Sequence, residues 1–376
     1  MQKRSVMKKV FFSSLLILCA LCSFAAGDPV PSAPPLVTPT ANPPMPALAD
    51  PENWTMVVVG DTQCYTFCRR NHGILDIMFS WIVNHKQTLR IQQVLLTGDL
   101  VDQNRRLTRR FANGDHQSGP QQWQAISRAL ERLDGEIPYI VSTGNHDLGY
   151  RNSEDRSTEL NKYFPADRNS RWEECLVEMG LDGTGQYTLE NAAYQFTTPH
   201  GQKILIVSLG FSPTDKQIKW AKSVFDDPRY AGHFGILLTH GYLQGFNRGY
   251  IQQERYKITQ KDGNTGKQIF EKLVRCTPTI RMVICGHSTT AENWLGSTSF
   301  QVSKNDAGRN VYEMMFNPQF IGDGSGGDGW IRLLEFSKDC KTVRVRTFSP
   351  LFALSGATRH LSWHTAPFNQ FEFTIE

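Results

Sequence analysis

The segment that decides the fold is Gln93-Val94-Leu95-Leu96-Thr97-Gly98-Asp99-Leu100-Val101-Asp102. A short apolar run ends at a glycine, and two carboxylates, Asp99 and Asp102, follow at a spacing of three. Such a run is typical of a buried parallel strand, and in open α/β sheets ligands bind at the carboxyl ends of these strands. We therefore expect Asp99 and Asp102 to face a ligand-binding crevice.

The same construction recurs along the chain. Each further apolar run ends in a side chain that could bind a metal: residues 55–60 precede Asp61, residues 139–144 precede Asn145, His146 and Asp147, residues 235–239 precede His240, and residues 282–286 precede His287. Because the carboxyl ends of neighbouring parallel strands lie at the same edge of a sheet, the runs together predict one common site.

Five motifs that contain these residues resemble, in the same order, the motif blocks of calcineurin-like metallophosphoesterases. They are Gly60-Asp61-Thr62-Gln63, Gly98-Asp99-Leu100-Val101-Asp102, Gly144-Asn145-His146-Asp147, His240-Gly241 and Gly286-His287-Ser288-Thr289. The resemblance implies an α/β (α+β) fold, a four-layer αββα sandwich of two mixed β-sheets flanked by helices. It also implies an enzyme, a hydrolase that acts on phosphate esters.

The resemblance further implies two divalent or trivalent transition-metal ions, Mn, Zn or Fe. Two ions held about 3.5–4 Å apart lower the pKa of a shared water and stabilise both the attacking and the leaving oxygen, so a metal-activated hydroxide is expected to attack the ester. By resemblance, the first ion takes Asp61, Gln63 and Asp99, and the second takes Asp99, Asn145, His240 and His287. Oxygen and imidazole ligands together suit these metals better than Ca.

Other residues near the motifs are candidates for catalysis and substrate binding. By resemblance, His146 is the general acid that faces the leaving group, and Asp102 orients it and stabilises its charge. Asp147 is expected to hold its loop by hydrogen bonds. Arg105 and Arg106 are candidate substrate-binding residues, because a guanidinium can bind phosphate with two hydrogen bonds; a solvated basic loop is the alternative.

The sequence departs from the family pattern at two positions that serve the first ion. Many members have histidine where this chain has Gln63, and a second histidine in the last motif where it has Thr289. We therefore expect the first site to be the weaker one. His360 or His364 could supply a replacement ligand, but ordinary surface or strand residues are the favoured interpretation of both. The departures leave open a second interpretation, a degenerate non-catalytic metal-binding or scaffold module of the same fold.

The ends of the chain have a different organisation from its centre. Residues 1–26 combine basic residues, an apolar run and small residues, the pattern of a signal peptide, and the run is too short to span a bilayer. Residues 27–52 contain nine prolines and predict a disordered linker. One phosphoesterase domain is expected over 53–376, β-rich from about 299. We expect an exported protein, periplasmic or extracellular, that the linker could tether to a surface, with no membrane span after cleavage.

Charge and cysteine content restrict the partners. Without the predicted signal peptide the chain has 36 basic and 36 acidic residues, so no nucleic-acid partner is expected. Cys64 and Cys68 have a spacing that permits a disulfide across one helical turn, whereas Cys285 is expected to be a buried thiol. Residues 103–120 and 150–185 are insertions that we expect to decide the substrate, the second by covering the active edge. The class of phosphate ester and the oligomeric state stay open.

Overall fold

The computed structural model describes residues 43–109, 115–291 and 293–376. The strands in this part of the chain are β1 Trp54–Val59, β2 Ile91–Leu96, β3 Tyr139–Val141, β4 Leu176–Leu181, β5 Tyr187–Thr197, β6 Lys203–Ser208, β7 Phe234–Leu238, β8 Ile280–Cys285, β9 Thr298–Lys304, β10 Asn310–Phe316, β11 Ile331–Phe336, β12 Thr342–Phe348, β13 Trp363–His364 and β14 Phe371–Thr374.

The helices lie mainly between the strands of the parallel segments. They are α1 Gln63–Phe67, α2 His72–Asn84, α3 Gly119–Leu130, α4 Leu160–Tyr163, α5 Asp215–Phe225, α6 Lys257–Lys261, α7 Gly266–Ile269 and α8 Pro350–Ala353. The helix α7 continues into a π-helical turn, Phe270–Val274, and 3-10 turns occupy Arg69–Asn71, Ser170–Trp172, Pro228–Tyr230, Trp294–Ser297 and Arg359–Leu361.

Within the described residues the strands form two seven-stranded sheets. The first has the order β13-β12-β11-β1-β2-β3, with β14 paired to β12, and the second has the order β4-β5-β6-β7-β8-β10-β9. Both are mixed: β1 runs parallel to β2 and antiparallel to β11, and β10 runs parallel to β8 and antiparallel to β9. The predicted pair of mixed sheets is thus confirmed.

Alternating side chains on β6 show how the layers pack. Ile204 and Ile206 are buried in the core shared with the first sheet, whereas Leu205 and Val207 belong to a second core that includes residues of α5. Because successive residues of a strand face opposite sides, the second sheet is covered on both faces. Residues of α2 and α3, such as Phe79 and Trp123, are buried with the first sheet. The layers are helices, sheet, sheet and helices, as expected.

Part of the predicted linker packs on the domain. The indole N–H of Trp363 donates a hydrogen bond to the carbonyl of Pro44 at 2.8 Å, and the amide of Ala49 donates to Oε1 of Glu335 at 2.6 Å. Pro46 is buried. Residues 43–52 are therefore in contact with the domain, whereas the predicted signal peptide and the rest of the predicted linker lie outside the described residues.

The cysteines in the described part of the chain, Cys64 and Cys68 included, are all free thiols. Cys285 is fully buried in β8, as predicted. Residues 150–185 contribute α4 and then β4, the edge strand of the second sheet, and Oγ of Ser153 donates to the carbonyl of Asn145 at 2.8 Å. No helix in the described residues is long and apolar enough to cross a membrane.

Candidate metal centre

The strand ends bring the predicted ligands together at one edge of the two sheets. Asp61 follows β1, Asp99 follows β2 and Asn145 follows β3, while His240 and His287 follow β7 and β8 of the second sheet. The first four are almost completely buried, and His287 is partly exposed at the mouth of a cavity. The structure thus brings these segments together at one edge, with Asp99, His240 and His287 in a common cluster.

Two glycines allow the backbone to approach the carboxylates. A Cβ atom on Gly144 would lie 2.1 Å from Oδ1 of Asp99, and one on Gly286 would lie 2.2 Å from Oδ1 of Asp61. Asp99 and His287 themselves have positive φ angles, 48° and 71°, which non-glycine residues seldom adopt and which cluster at functional sites. The backbone is thus shaped around the two carboxylates.

We call Asp99, Asn145, His240 and His287 the imidazole half of the centre. Nε2 of His240 lies 3.3 Å from Oδ2 of Asp99, 3.2 Å from Oδ1 of Asn145 and 3.1 Å from Nδ1 of His287. Nδ1 of His240 lies 2.8 Å from the carbonyl of Thr97, which can only accept, so this nitrogen donates and Nε2 is directed at the cluster. One ligand atom each from Asp99, His240 and His287 lie within 4.8 Å of one another.

The electrostatics of the imidazole half favour a positive charge at its centre. Burial alone would lower the pKa of His240, but the adjacent carboxylates of Asp99 and Asp61 raise it to about 10. Burial alone would raise the pKa of Asp99, but His240 and His146 hold it well below its ordinary value. A buried carboxylate surrounded by imidazoles is a donor set suited to a transition metal.

We call Asp61, Gln63, Asn317 and Gln319 the amide half of the centre. Nδ2 of Asn317 donates to Oδ2 of Asp61 at 2.5 Å, and Nε2 of Gln319 donates to the same oxygen at 3.2 Å. Nε2 of Gln63 donates to Oε1 of Gln319 at 2.7 Å. Burial raises the pKa of Asp61 to about 7.

Asn317 and Gln319 were not among the site residues predicted from the sequence. They follow the end of β10, and because β10 runs parallel to β8, its carboxyl end lies at the same edge as His287. The missed signal was the apolar run that ends in Phe316 and is followed by two side-chain amides, which repeats the construction of the other strand ends.

Two buried atoms of the cluster lack a hydrogen-bond partner in the described residues, and one of them is an oxygen that a metal ion would bind. Within the described part of the chain, Oε1 of Gln63 and Nδ2 of Asn145 are buried without a hydrogen-bond partner. Buried polar atoms are almost always paired, so each exception needs an explanation. A cation would satisfy the Gln63 oxygen, which belongs to a residue predicted as a ligand of the first ion.

His146 lies beside this cluster, in the wall of the cavity. Its Nδ1 is 2.7 Å from the backbone carbonyl of Asp102 but 3.8 Å from the Oδ1 of that residue, so the carbonyl is the closer orienting group. The backbone amide of His146 donates to Oδ1 of Asp99 at 2.8 Å. The carboxylate of Asp147 accepts from the amides of Gly144 and Val101 at 2.8 and 3.1 Å and holds the loop, as predicted.

The cavity above the cluster has a volume of about 850 Å³. Its wall includes Asp99, Asn145, His287 and His146, together with residues of the segment 244–256 and Phe320. The described residues of the two predicted insertions, 103–120 and 150–185, contribute nothing to this wall. The prediction that these insertions decide the substrate therefore has no support from the cavity wall. The segment 244–256, after β7, lines the cavity instead.

The arginines of the cavity also differ from those predicted. Nε of Arg105 is paired with Glu159 at 2.8 Å, and Nε of Arg106 donates to Oγ1 of Thr108 at 3.2 Å. Neither lines the cavity, whereas Arg248 and Arg255 do. The structure does not bring the two predicted substrate-binding residues to the site.

The candidate replacement histidines are also elsewhere. The ring of His364 packs on Trp294, with 4.4 Å between centroids, and His360 is exposed on a 3-10 turn. Thr289, which stands where relatives have histidine, has its hydroxyl 3.1 Å from Oγ of Ser297. The side-chain amides that contact Asp61 are instead those of Asn317 and Gln319.

The fold and the site define a class of protein, and a comparison with known families agrees with it. The sequence model of the calcineurin-like phosphoesterases matches residues 55–290, and the chain belongs to this family of metal-dependent phosphoesterases.

Among individual relatives, the chain is 28% identical over 300 residues to the uncharacterized protein YvnB of Bacillus subtilis (strain 168). The match covers 79% of this chain but 20% of YvnB, so the chain spans about a fifth of the length of that relative.

Two solved structures are similar at 12% identity. GAP50, the anchor in the inner membrane complex of Plasmodium, has a TM-score of 0.44 and the match covers 86% of this chain and 89% of GAP50. A putative 5'-nucleotidase from Staphylococcus aureus, solved in complex with alpha-ketoglutarate, has a TM-score of 0.42, with 76% of this chain and 51% of the other covered.

Proposed function

We propose that this protein is an exported phosphoesterase that hydrolyses phosphate esters in a metal-dependent reaction, with His146 as the general acid. The observation that carries the proposal is the convergence of Asp99, His240 and His287 within 4.8 Å at the base of the cavity that His146 also lines. Export rests on the signal-peptide pattern of residues 1–26.

The imidazole half and the amide half would hold two metal ions, with Asp99 between them. Such ions lower the pKa of a water molecule and stabilise the charge that develops on phosphate oxygens. The chain orients their ligands: the Thr97 carbonyl fixes the tautomer of His240, and Thr97 Oγ1 donates to Oδ1 of Asp61 at 3.0 Å. Ligands held by such hydrogen bonds bind metal more tightly.

His146 is arranged to deliver a proton from one defined atom. Because the Asp102 carbonyl can only accept, Nδ1 of His146 is the donor in their 2.7 Å contact. The free ring nitrogen is then Nε2, and the side chain is 21% exposed, so substrate can reach it. Protonated at Nε2, His146 would donate that proton to the leaving oxygen of the ester.

Two arginines are suited to bind the substrate phosphate. The guanidinium groups of Arg248 and Arg255 lie 4.8 Å from the Phe246 ring centroid and 5.6 Å from the Tyr256 ring centroid, and all four residues line the cavity. A guanidinium that rests on an aromatic ring is partly ordered before it binds phosphate.

The proposal is tested by assaying the purified full chain with p-nitrophenyl phosphate and bis(p-nitrophenyl) phosphate in the presence of Mn²⁺, Zn²⁺ or Fe²⁺. We expect turnover of at least one ester. Asp99→Asn should reduce it at least about 10³-fold, because metal-ion stabilisation of the transition state contributes several kcal/mol. Inertness with every metal, or full activity of Asp99→Asn, would contradict the proposal. Cell fractionation with and without residues 1–26 tests export.

A non-catalytic metal-binding or scaffold module of the same fold is the second candidate. The side chain of Thr289 contacts Ser297, and Asp61 accepts hydrogen bonds from amides, which is the arrangement expected where the first ion is lost. One bound ion per chain at saturating metal, without turnover of either ester, would favour this candidate over the enzyme.

A further inference from the structure

We propose that Gln319 is a ligand of the first metal ion. It replaces the histidine that many family members have at the position of Thr289, so that oxygen atoms alone form this half of the centre. The ligands are Asp61, Gln63 and Gln319, together with the shared Asp99, and the cation is a hard divalent ion such as Mn²⁺ or Mg²⁺. The inference deepens the proposed function and rests on it only in that a metal centre exists.

The first step is that Thr289 does not serve the site. Its hydroxyl lies 3.1 Å from Oγ of Ser297, which in turn donates to the carbonyl of Asn293 at 3.2 Å. This chain of hydrogen bonds ties Thr289 to the 3-10 turn Trp294–Ser297. A ligand for the first ion must therefore come from another segment.

The second step is that Gln319 is placed where such a ligand is needed. It is 3% exposed, lines the cavity, and follows β10 at the sheet edge that carries the other candidate ligands. Its amide bridges the two remaining residues of the first site, with Nε2 3.2 Å from Oδ2 of Asp61 and Oε1 2.7 Å from Nε2 of Gln63.

The third step concerns an oxygen that the amides alone cannot satisfy. Oε1 of Gln63 is buried and, among the described residues, has no hydrogen-bond partner. Side-chain amides exchange the places of oxygen and nitrogen when they rotate by half a turn. Rotation of Gln319 alone would place its Nε2 opposite Nε2 of Gln63, so both amides must rotate. The oxygen of Gln319 then points at Asp61, and a cation is required to separate the two acceptors. The Gln63 oxygen has two lone pairs and can accept from Nε2 of Gln319 while it binds the same cation.

Asn317 has a different role from Gln319. Its Nδ2 donates both to Oδ2 of Asp61 at 2.5 Å and to the backbone carbonyl of His287 at 3.1 Å. The second bond fixes the nitrogen on this side, because a carbonyl oxygen in that place would face another carbonyl. Asn317 is therefore a positioning residue that orients Asp61, and Gln319 is the ligand.

The ligand atoms indicate the class of cation. Carboxylate and carbonyl oxygens suit Mg²⁺ and Mn²⁺, whereas imidazole suits Zn²⁺ and Fe²⁺. Neutral amide oxygens add no charge, so the affinity of this half should be the lower of the two. We expect one tightly bound ion at the imidazole half and one weakly bound ion at the amide half.

The test is Mn²⁺ binding to the purified full chain after chelator treatment, followed by the electron paramagnetic resonance signal of free Mn²⁺. The wild type should bind two ions in a tight and a weak class. Gln319→Ala should weaken the weak class at least about tenfold and leave the tight class unchanged. Gln319→Glu, which adds a charged oxygen at the same place, should tighten it. Gln260→Ala, a cavity glutamine of the α6 helix, is the control and should change neither class.

Three results would overturn the inference: an unchanged weak class in Gln319→Ala, a Gln319→Glu that binds no more tightly than the wild type, or a wild type that binds a single ion. Circular dichroism confirms that each variant is folded. If Gln319→Ala weakens the binding of the first ion but no ester is hydrolysed, the proposed function fails and the ligand assignment stands. If esters are hydrolysed and Gln319→Ala binds both ions normally, the proposed function stands and the ligand assignment fails.

Discussion

The imidazole half and the amide half of the centre lie side by side but are built from different chemistry. In the first, the carboxylate of Asp99 faces the imidazoles of His240 and His287, and His240 Nε2 is 3.3 Å from the carboxylate. In the second, the carboxylate of Asp61 faces the amides of Asn317 and Gln319. Titratable groups surround one carboxylate, and mostly groups that cannot titrate surround the other.

This difference indicates that the ligand side chains of the two halves can change independently on one backbone. Both carboxylates sit at strand ends and are approached by a glycine, so the frame is the same. Only the facing side chains differ. The chemistry that requires charge and proton transfer should therefore depend on the imidazole half, while the amide half adjusts the affinity for the first ion.

The largest effect is expected from His146→Ala, a substitution beside the imidazole half. A general acid contributes about 10²–10⁴-fold to turnover, so kcat should fall by this amount while both classes of bound Mn²⁺ are retained. The measurement is steady-state hydrolysis of a phosphate ester with an aliphatic alcohol as leaving group, together with metal content, because p-nitrophenolate leaves without a proton and would not report the loss of the acid.

Asp102→Asn is the matched comparison for His146→Ala. It removes the carboxylate at 3.8 Å from Nδ1 but keeps the backbone carbonyl at 2.7 Å, so the decrease in kcat should be smaller. A His146→Ala enzyme with normal turnover, or one that loses its metal, would refute the role of general acid.

The predictability of the site follows the same division. Each residue of the imidazole half stands directly after an apolar run, and the sequence shows both the run and the ligand. The amide half required knowing that β10 runs parallel to β8, because only then does Gln319 reach Asp61. Strand pairing between distant segments is a tertiary property, and local periodicity does not contain it.

The fold was predictable for a similar reason and to a similar extent. The apolar runs gave the central strands, and the pair of mixed sheets is as expected. The edge strand β4 lay in an insertion without alternation, so the sequence did not reveal it; its residues are mostly exposed. The cavity wall at 244–256 has little regular structure, and its polar residues carry no periodic signal.

The next largest effect is on the free energy of unfolding, and it comes from Glu190, which lies near the Asn145 loop of the imidazole half. Glu190 lies beside Gly210 and Thr143, and Thr143 is two residues before Asn145 in the chain. Burial raises the pKa of the Glu190 carboxyl to about 8 from an ordinary 4.5. The native state keeps the proton that the unfolded chain releases near pH 4.5. The contribution of Glu190 to stability should therefore be greatest below that pH and be lost as the pH rises to about 8.

Glu190→Gln removes this titration and should reverse the loss. Between pH 5 and pH 8 the wild type should lose about 2–4 kcal/mol of unfolding free energy relative to the variant. Urea unfolding of the metal-free proteins at both pH values measures this, with the exposed Glu271→Gln as control. Parallel pH dependence of wild type and Glu190→Gln would show that Glu190 is ionised in the native state.

The smallest effect should separate the two halves most cleanly. Nε2 of His287 is 2.9 Å from Oε1 of Glu254, while its Nδ1 faces His240. A carboxylate that accepts from one nitrogen directs the other at the metal and makes it a stronger donor. Loss of such a partner lowers metal affinity about 10–100-fold. Glu254→Ala should therefore weaken the tight class of Mn²⁺ by about tenfold, the lower end of that range.

Glu254→Gln keeps an oxygen that can accept the hydrogen bond but removes its charge, so its effect on the tight class should lie between those of the wild type and Glu254→Ala. Gln253→Ala, at the exposed neighbouring residue, should bind as the wild type does. The weak class must stay constant in all three variants, because Glu254 contacts His287 and the amide half has its own ligands. If the weak class moved with the tight one, the two halves would be one coupled site, and the division between them would be wrong.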